Sequence, residues 1–485
     1  MNRTLLILLL QIVIFFYNLI LLFLYTPRKL EEKFVLSILV SVGISLFLFF
    51  FIKGIDNTLK KQYFRISIFF ILGFLIVHFQ IYIDYLLGNT RFFNFNYFIN
   101  TRIAPKALIV SALAINIFFI GYILRIFFQR LLRTEPTKIK IYNFNSTKKL
   151  EWFIFLLFLG FLGFANLNYF KGNYGRVELG SIATHIQTFF LHAVSAYIIV
   201  VSYKIKRDNQ HLSLIKFLSN FSIPIYISLG IYMVLVLVSG DRGPLIQISL
   251  LFFAGYVYTQ NKKINPVIYM AGIAIATVLI TLLGIIRSMQ PGATFSERSS
   301  QAAELNTTLT TESSFSPSTF ELAISLRTLN AAVDYTKKNG PKYGLIQFNQ
   351  LIAIVPGLGS LFRSMTGYEN KELISADILT HHILGSNPSH GLGTSCVADV
   401  YLDYKTFGVI IYFLLFGFFV RGIEYNAFKD HIPNLLIWVF AFVFIYKAIY
   451  IGRSSITILL RECIVIYIII RIFNLKATNY LKFEK

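Results

Sequence analysis

Apolar runs of bilayer-spanning length recur along almost the whole chain, and nothing else in the sequence restricts its fold as much. They cover residues 5–24, 34–52, 64–87, 105–127, 152–170, 182–203, 223–238, 244–258, 266–286, 406–420, 432–450 and 454–475. Crossing about 30 Å of hydrocarbon takes roughly 20 residues as a helix, whereas a barrel strand would alternate over about ten. The runs are continuous, so each reads as a helix that satisfies its own backbone polar groups. The expected fold class is all-α: a polytopic integral membrane protein of about 12 transmembrane helices with one large, partly helical outer loop. A chain that is 56% hydrophobic and only 14% charged lies outside the range of soluble globular domains.

The formal charge of +22 raises nucleic acid as a partner, but the placement of the charge argues against it. Lys and Arg sit in the short connections between runs, where they set orientation and meet anionic headgroups. No RNA- or DNA-binding motif accompanies them, so membrane lipids are the expected partner of this charge. With the N-terminus inside, the inner connections and the tail from Arg471 carry far more Lys and Arg than the short outer ones. Both termini are then cytoplasmic, and the segment 287–405 lies outside. The first run follows Arg3, but Tyr25-Thr26-Pro27-Arg28-Lys29 is no small-residue cleavage site, so it reads as a retained span. The chain thus divides into transmembrane helices 1–9 (residues 1–286), the outer loop (287–405), and helices 10–12 with a cytoplasmic tail (406–485). Two cysteines, Cys396 and Cys463, suggest no disulfide framework.

Within the loop, residues 287–316 are rich in Ser, Thr, Glu and Gln and read as irregular surface. Ser318-Thr319-Phe320-Glu321 has the form of a capping box. Leu322, Leu326, Leu329 and Val333 follow at helical spacing, and Gly340-Pro341 ends that helix. The apolar stretches 351–355 and 358–362 are too short to span, so they lie at the membrane surface or dip in partway. The loop is expected to form a helical cap resting on the spans.

Several cations fall where the inside bias predicts few. Arg242 sits in the turn Ser239-Gly240-Asp241-Arg242-Gly243-Pro244, Arg287 closes the ninth span, and Lys447 and Arg453 bracket the end of the eleventh. Arg461 lies about two turns into the twelfth, beside Glu462. Ionisable groups at such depth cost about 2.5–3.5 kcal/mol each and are usually paired or line a wet cavity. Gathered at the outer end, they suit an anion, and guanidinium groups bind phosphate with two prongs. A second constellation runs from Asn387-Pro388-Ser389-His390 through Gly391-Leu392-Gly393-Thr394-Ser395. There the glycines let backbone approach a ligand, and Thr394 or Ser395 can cap the next helix. Asp399 and Asp403 share one face of that helix. The glycines lack Rossmann or P-loop spacing. His381 and His382 are adjacent, HExxH is absent, and no metal or other cofactor is expected. His185 with His192, and His78 with Asp84, read as interhelical hydrogen-bonding groups.

This pattern resembles the O-antigen and capsule polysaccharide polymerase family (Wzy-type oligosaccharide repeat-unit polymerases). Many spans with one large outer loop late in the chain carry the resemblance. So do Ser239 to Pro244, the stretch from Gly391 through Tyr401-Leu402-Asp403 to Gly408, and Gly452-Arg453-Ser454. Asp399 stands where Glu is expected, and Lys405 lengthens the usual pattern before Gly408. The resemblance implies an enzyme of the bacterial cytoplasmic (inner) membrane. It would transfer a growing glycan from undecaprenyl diphosphate onto an undecaprenyl-diphosphate-linked oligosaccharide, without nucleotide sugar. Arg242, Arg287 and Arg453 would hold the diphosphate, with Arg363 and Arg176 next in line. Asp399 is the leading proton acceptor and His390 the second. A flippase and a chain-length regulator would be its protein partners. The alternatives are an O-antigen ligase-like transferase and a lipid-linked oligosaccharide flippase or transporter. Transporters show paired half-repeats and midplane polar sites, and no repeat is evident here.

Overall fold

The computed structural model describes residues 3–52, 62–89, 102–131, 139–144, 147–170, 177–208, 212–241, 243–260, 314, 316, 319–355, 357–388, 391–428 and 434–481. Among these residues the structure is helical apart from one short ribbon, and seven helices are long and apolar enough to cross a membrane. Six of them are α1 (Arg3–Leu24), α2 (Glu32–Ile52), α3 (Ile66–Leu86), α4 (Ala104–Leu131), α6 (Ser181–Arg207) and α16 (Cys396–Ala427). The seventh is α17 (Leu435–Lys447) with its 3-10 extension Ala448–Arg453. The runs 152–170, 223–238, 244–258 and 454–475 form helices that are shorter or more charged. These are α5 (Lys148–Phe164), α8 (Ile223–Ser239), α9 (Gly243–Gln260) and α18 (Ile456–Asn474), with the small α7 (Leu214–Leu218) preceding α8. The run 266–286 lies outside the described residues.

The bundle is built around α4, which is buried along nearly its whole length. It lies so close to α16 that a Cβ at Gly121 would overlap the Leu414 carbonyl, and one at Gly417 would overlap that of Phe118. Lipid tails are as apolar as leucine, so small residues that admit close backbone contact, and polar groups that bond across helices, fix such packing. Gln11, Ser45 and Asn116 provide the polar part between α1, α2 and α4. Gln11 Nε2 donates to the Ser45 carbonyl at 2.7 Å, and Asn116 Nδ2 lies 2.6 Å from Gln11 Oε1.

Contacts between helix ends sort the bundle into two sides. At one end Glu424, late in α16, accepts the Ser67 N–H at 2.6 Å and the Tyr122 hydroxyl at 2.6 Å, which places the starts of α3 and the ends of α4 and α16 together. A carboxylate at the N-terminus of α3 meets the orphan N–H groups and positive dipole there. The Arg421 guanidinium lies over the Tyr122 ring at this same end. The ribbon pairs β1 (Ile139–Phe144) with β2 (Leu475–Leu481), so the connection after α4 and the tail after α18 also share one side. At the other end Gln80 and Asp84, in the last turns of α3, bond to Ser314, Ser316 and Thr319 of the loop.

The loop carries α10 (Phe320–Ala323), α11 (Leu326–Asn339), α12 (Leu345–Ile352), α13 (Leu358–Thr366), α14 (Asn370–Leu373) and α15 (Ser375–Leu384). Leu326, Leu329 and Val333 are buried as the helical spacing predicts, and Gly340 ends α11 with φ 77°. Thr319 does not cap α10; its hydroxyl donates to Gln80 Oε1 at 2.7 Å and so ties the loop to α3. Ser318 lies outside the described residues. Helices α12 and α13 are too short to span and expose Phe348, Leu351, Leu358, Leu361 and Met365, as the turn between them exposes Val355.

Candidate active site

The helix expected from 406 begins ten residues earlier, at Cys396, because Ser395 starts it: its hydroxyl accepts the Ala398 N–H at 3.1 Å. Lys405, with φ 54° and ψ −149°, then breaks the helical backbone. A break of this kind interrupts the i→i−4 ladder and frees carbonyls on the turn before it. The carbonyls of Leu402 and Asp403 accept the N–H groups of Lys342 and Tyr343 at 2.9 and 3.0 Å. The Asp403 carboxylate receives the Ile346 and Gln347 N–H groups at 3.2 and 2.9 Å, capping α12 from another helix. Gly344 makes the approach feasible: its φ is 90°, and a Cβ there would overlap the Tyr404 hydroxyl.

One turn earlier, Asp399 is the hub of the joint. Its Oδ1 accepts from Ser375 Oγ at 2.6 Å and Gln350 Nε2 at 3.0 Å, and its Oδ2 from Gln347 Nε2 at 2.6 Å. The Ser455 hydroxyl lies 2.8 Å from Oδ2 and 2.6 Å from Gln350 Oε1, so its single proton is shared between them. Gln347 Oε1 in turn accepts from Thr457, which meets the Tyr412 hydroxyl. The carboxylate is only 1% exposed. One buried carboxylate thus joins α12, α15, α16 and the start of α18. A charge buried this deeply is tolerable only when hydrogen-bonded on all sides.

Arg453 stands two residues before Ser455, at the end of the 3-10 turn that follows α17. Glycines place it: a Cβ at Gly73 of α3 would overlap the Ile449 carbonyl, and Gly452 sits on the Gly73 carbonyl. Arg327 of α11 reaches toward the same place, and burial together with the Arg453 guanidinium beside it holds its pKa below the usual arginine value. Two guanidinium groups, one from a loop helix and one from an interspan turn, are thus brought near each other beside the Asp399 joint.

Of the expected site residues, the structure brings Asp399 and Arg453 to one joint. Arg363 stands on α13, half-buried, with its Nη2 3.1 Å from Ser360 Oγ. Arg176, Arg242, Arg287 and His390 lie outside the described residues. Around Arg242, Gly240 ends α8 with φ 88°, and the Asp241 carboxylate accepts the Gly243 N–H that opens α9 at 3.1 Å. Asp241 therefore has a capping role of its own. Five residues of the joint were not singled out from the sequence: Arg327, Gln347, Gln350, Ser375 and Ser455. The i, i+3 pair Gln347 and Gln350 inside an apolar stretch was the readable signal. Among the described residues no group of three or more His, Cys, Asp or Glu could hold a metal ion.

Searches of curated proteins and of solved structures return no match. The family model for the O-antigen polysaccharide polymerase Wzy matches residues 5–480. With nearly its whole length covered by that match, the chain belongs to the Wzy family of O-antigen polysaccharide polymerases.

Proposed function

We propose that the chain joins undecaprenyl-diphosphate-linked repeat units into O-antigen or capsule at the outer face of the cytoplasmic membrane. The observation that carries this reading is the meeting of Arg453 and Arg327 beneath loop helices that Asp399 pins to the spans. An acceptor hydroxyl attacks the anomeric carbon, the carbon–oxygen bond to the diphosphate breaks, and negative charge grows on the departing lipid diphosphate. Fixed guanidinium groups in a site shielded from water stabilise that charge where it develops. Arg242 and Arg287, and more remotely Arg176, would complete the cation set. The exposed apolar faces of α12 and α13 would rest in the outer headgroup layer, with Arg363 at phosphate level, and the polyprenyl tail would lie along them.

In this arrangement the oxygens of Asp399 are occupied by its own donors. It holds the loop over the site, and it would take a proton only after Gln350 or Ser455 yields its place to a sugar hydroxyl. The loop then sits outside, and the Arg421 end of the bundle, with both termini, faces the cytoplasm. A flippase would deliver repeat units, and a chain-length regulator would limit the product. The test is purified protein given a lipid-linked repeat unit without nucleotide sugar or metal. A ladder of products supports the proposal, and unchanged substrate with folded protein refutes it.

A further inference from the structure

Below the 3-10 turn that carries Arg453, three spans meet around ionisable side chains that the site above does not use. Tyr446 and Lys447 end α17, Arg461 and Glu462 lie in the second turn of α18, and His192 and Ser195 are one turn apart on α6. Glu462 Oε2 accepts the Tyr446 hydroxyl at 3.0 Å, and its Oε1 lies 3.5 Å from Lys447 Nζ. Ser195 lies against the same tyrosine hydroxyl. His192 is within electrostatic reach of Glu462, Lys447 and Arg461, and its buried Nδ1 has no hydrogen-bond partner among the described residues. A buried polar atom without a partner costs roughly 1–3 kcal/mol and calls for an explanation.

Hydrogen-bond accounting separates this group from the joint above it. Asp399 is 1% exposed with donors on both oxygens. The Glu462 side chain keeps 14% exposure and, among the described residues, accepts one hydrogen bond and faces one long ion pair, so it has lone pairs to offer. A sugar hydroxyl placed here would donate to Glu462 and face the open nitrogen of His192.

We infer that Glu462 receives the proton of the acceptor hydroxyl in an inverting transfer, with His192 and Tyr446 orienting that hydroxyl. The inference rests on the reading of the chain as a transferase that expels lipid diphosphate. Glu462 lies in α18 seven residues after Ser455, which precedes that helix, so it sits about 10 Å along the chain direction from the Arg453 turn by helical rise. In inverting glycosyl chemistry the group serving the leaving oxygen and the group serving the nucleophile lie on opposite sides of the ring. The step balances. The acceptor oxygen bonds to the anomeric carbon while its proton passes to the Glu462 carboxylate. The bond to the diphosphate oxygen breaks, and its electron pair leaves with the diphosphate held by Arg453 and Arg327.

The experiment uses the full chain in detergent with a lipid-linked repeat unit of known anomeric configuration. Ladder formation by the wild type is the control for the underlying reading; if no ladder forms, that reading fails, and this one with it. Given a ladder, Glu462→Gln is expected to lose about 10²–10⁴-fold in turnover while KM for the lipid stays within a few-fold. Glu462→Asp keeps the charge opposite Lys447 and so preserves the fold; its shorter carboxylate is expected to cut turnover about tenfold or more. NMR of the polymer is expected to show inversion at the new linkage. Near-normal turnover in folded Glu462→Asp and Glu462→Gln, or retention of configuration, overturns the inference.

Discussion

Replacing Asp399 by Asn removes one charge and adds one donor while leaving the side-chain shape nearly unchanged, so it isolates the polarity of the joint. Each oxygen of Asp399 faces one glutamine amide and one serine hydroxyl: Gln350 and Ser375 on Oδ1, Gln347 and Ser455 on Oδ2. Hydroxyls can turn to accept. Amide N–H groups cannot, so whichever way the asparagine points, its NH2 confronts one glutamine NH2. Flipping Gln350 relieves this only if the Ser455 hydroxyl turns to accept its NH2 and gives its own proton to the asparagine oxygen, and flipping Gln347 asks the same of Thr457 and Tyr412. In either arrangement the contacts lose the carboxylate charge and the network is rearranged, at a cost of about 1.5–3 kcal/mol.

At a total of about 3 kcal/mol, the open population of α12 rises roughly hundredfold, since 1.4 kcal/mol is a factor of ten. Hydrogen exchange of the backbone amides across 345–352 and 375–384 reads this directly, because local opening sets their rates. The α4–α16 core serves as the internal reference. If Asp399→Asn left those rates within a factor of about three of wild type, the residue would not be the pin described here. A lost ladder with unchanged exchange would instead make it a chemical participant.

Four further outcomes follow from the same geometry. Arg453→Lys, and Arg242→Lys on the sequence reading alone, keep the charge but could not hold a diphosphate with two prongs, so under the proposed function ladder formation should fall about 10²-fold or more at normal protein level. Arg327→Gln should weaken turnover per folded protein in the same assay, since it removes the guanidinium beside Arg453. Gly73→Ala places a methyl group on the Ile449 carbonyl, which should destabilise the protein by about 1–3 kcal/mol and lower its melting temperature in detergent. Lys405→Gly relieves a backbone conformation that costs roughly 1–3 kcal/mol for a side chain-bearing residue, so the melting temperature should rise.

The spans were legible because hydrocarbon thickness acts on each run separately, and twenty local residues decide the outcome. The buried face of α11 was legible for the same reason, since Leu326, Leu329 and Val333 carry a local period. The joint was not. Residues 347, 350, 375, 399 and 455 come from four elements, and nothing about one of them announces the others. The break at Lys405 was invisible for a different reason. Lysine is a good helix former, and its backbone is held in an unfavourable region by the N–H groups of Lys342 and Tyr343 on the carbonyls before it. Arg453 was singled out because a cation read as lying at the outer end violates the charge bias. Arg327, in a loop already read as extramembranous, violated nothing.

Why the loop should be pinned by a buried carboxylate, when apolar burial holds most caps to their domains, follows from the lipid interface where the proposed function puts it. In water, Phe348, Leu351 and Leu361 would drive α12 and α13 onto the spans. At a lipid interface acyl chains cover those side chains equally well, so apolar contact gives no preference for one position over another. Directional bonds to Asp399 and Asp403 do give one, since each oxygen must find its donors at about 2.6–3.2 Å. The same argument explains the bundle beneath, where Gln11, Ser45 and Asn116 fix helices whose leucines could pack in many registers. A polar joint can also exchange its donors for those of a glycan without exposing apolar surface to water. An apolar seal could not, and a site that must admit one saccharide and release another needs that exchange.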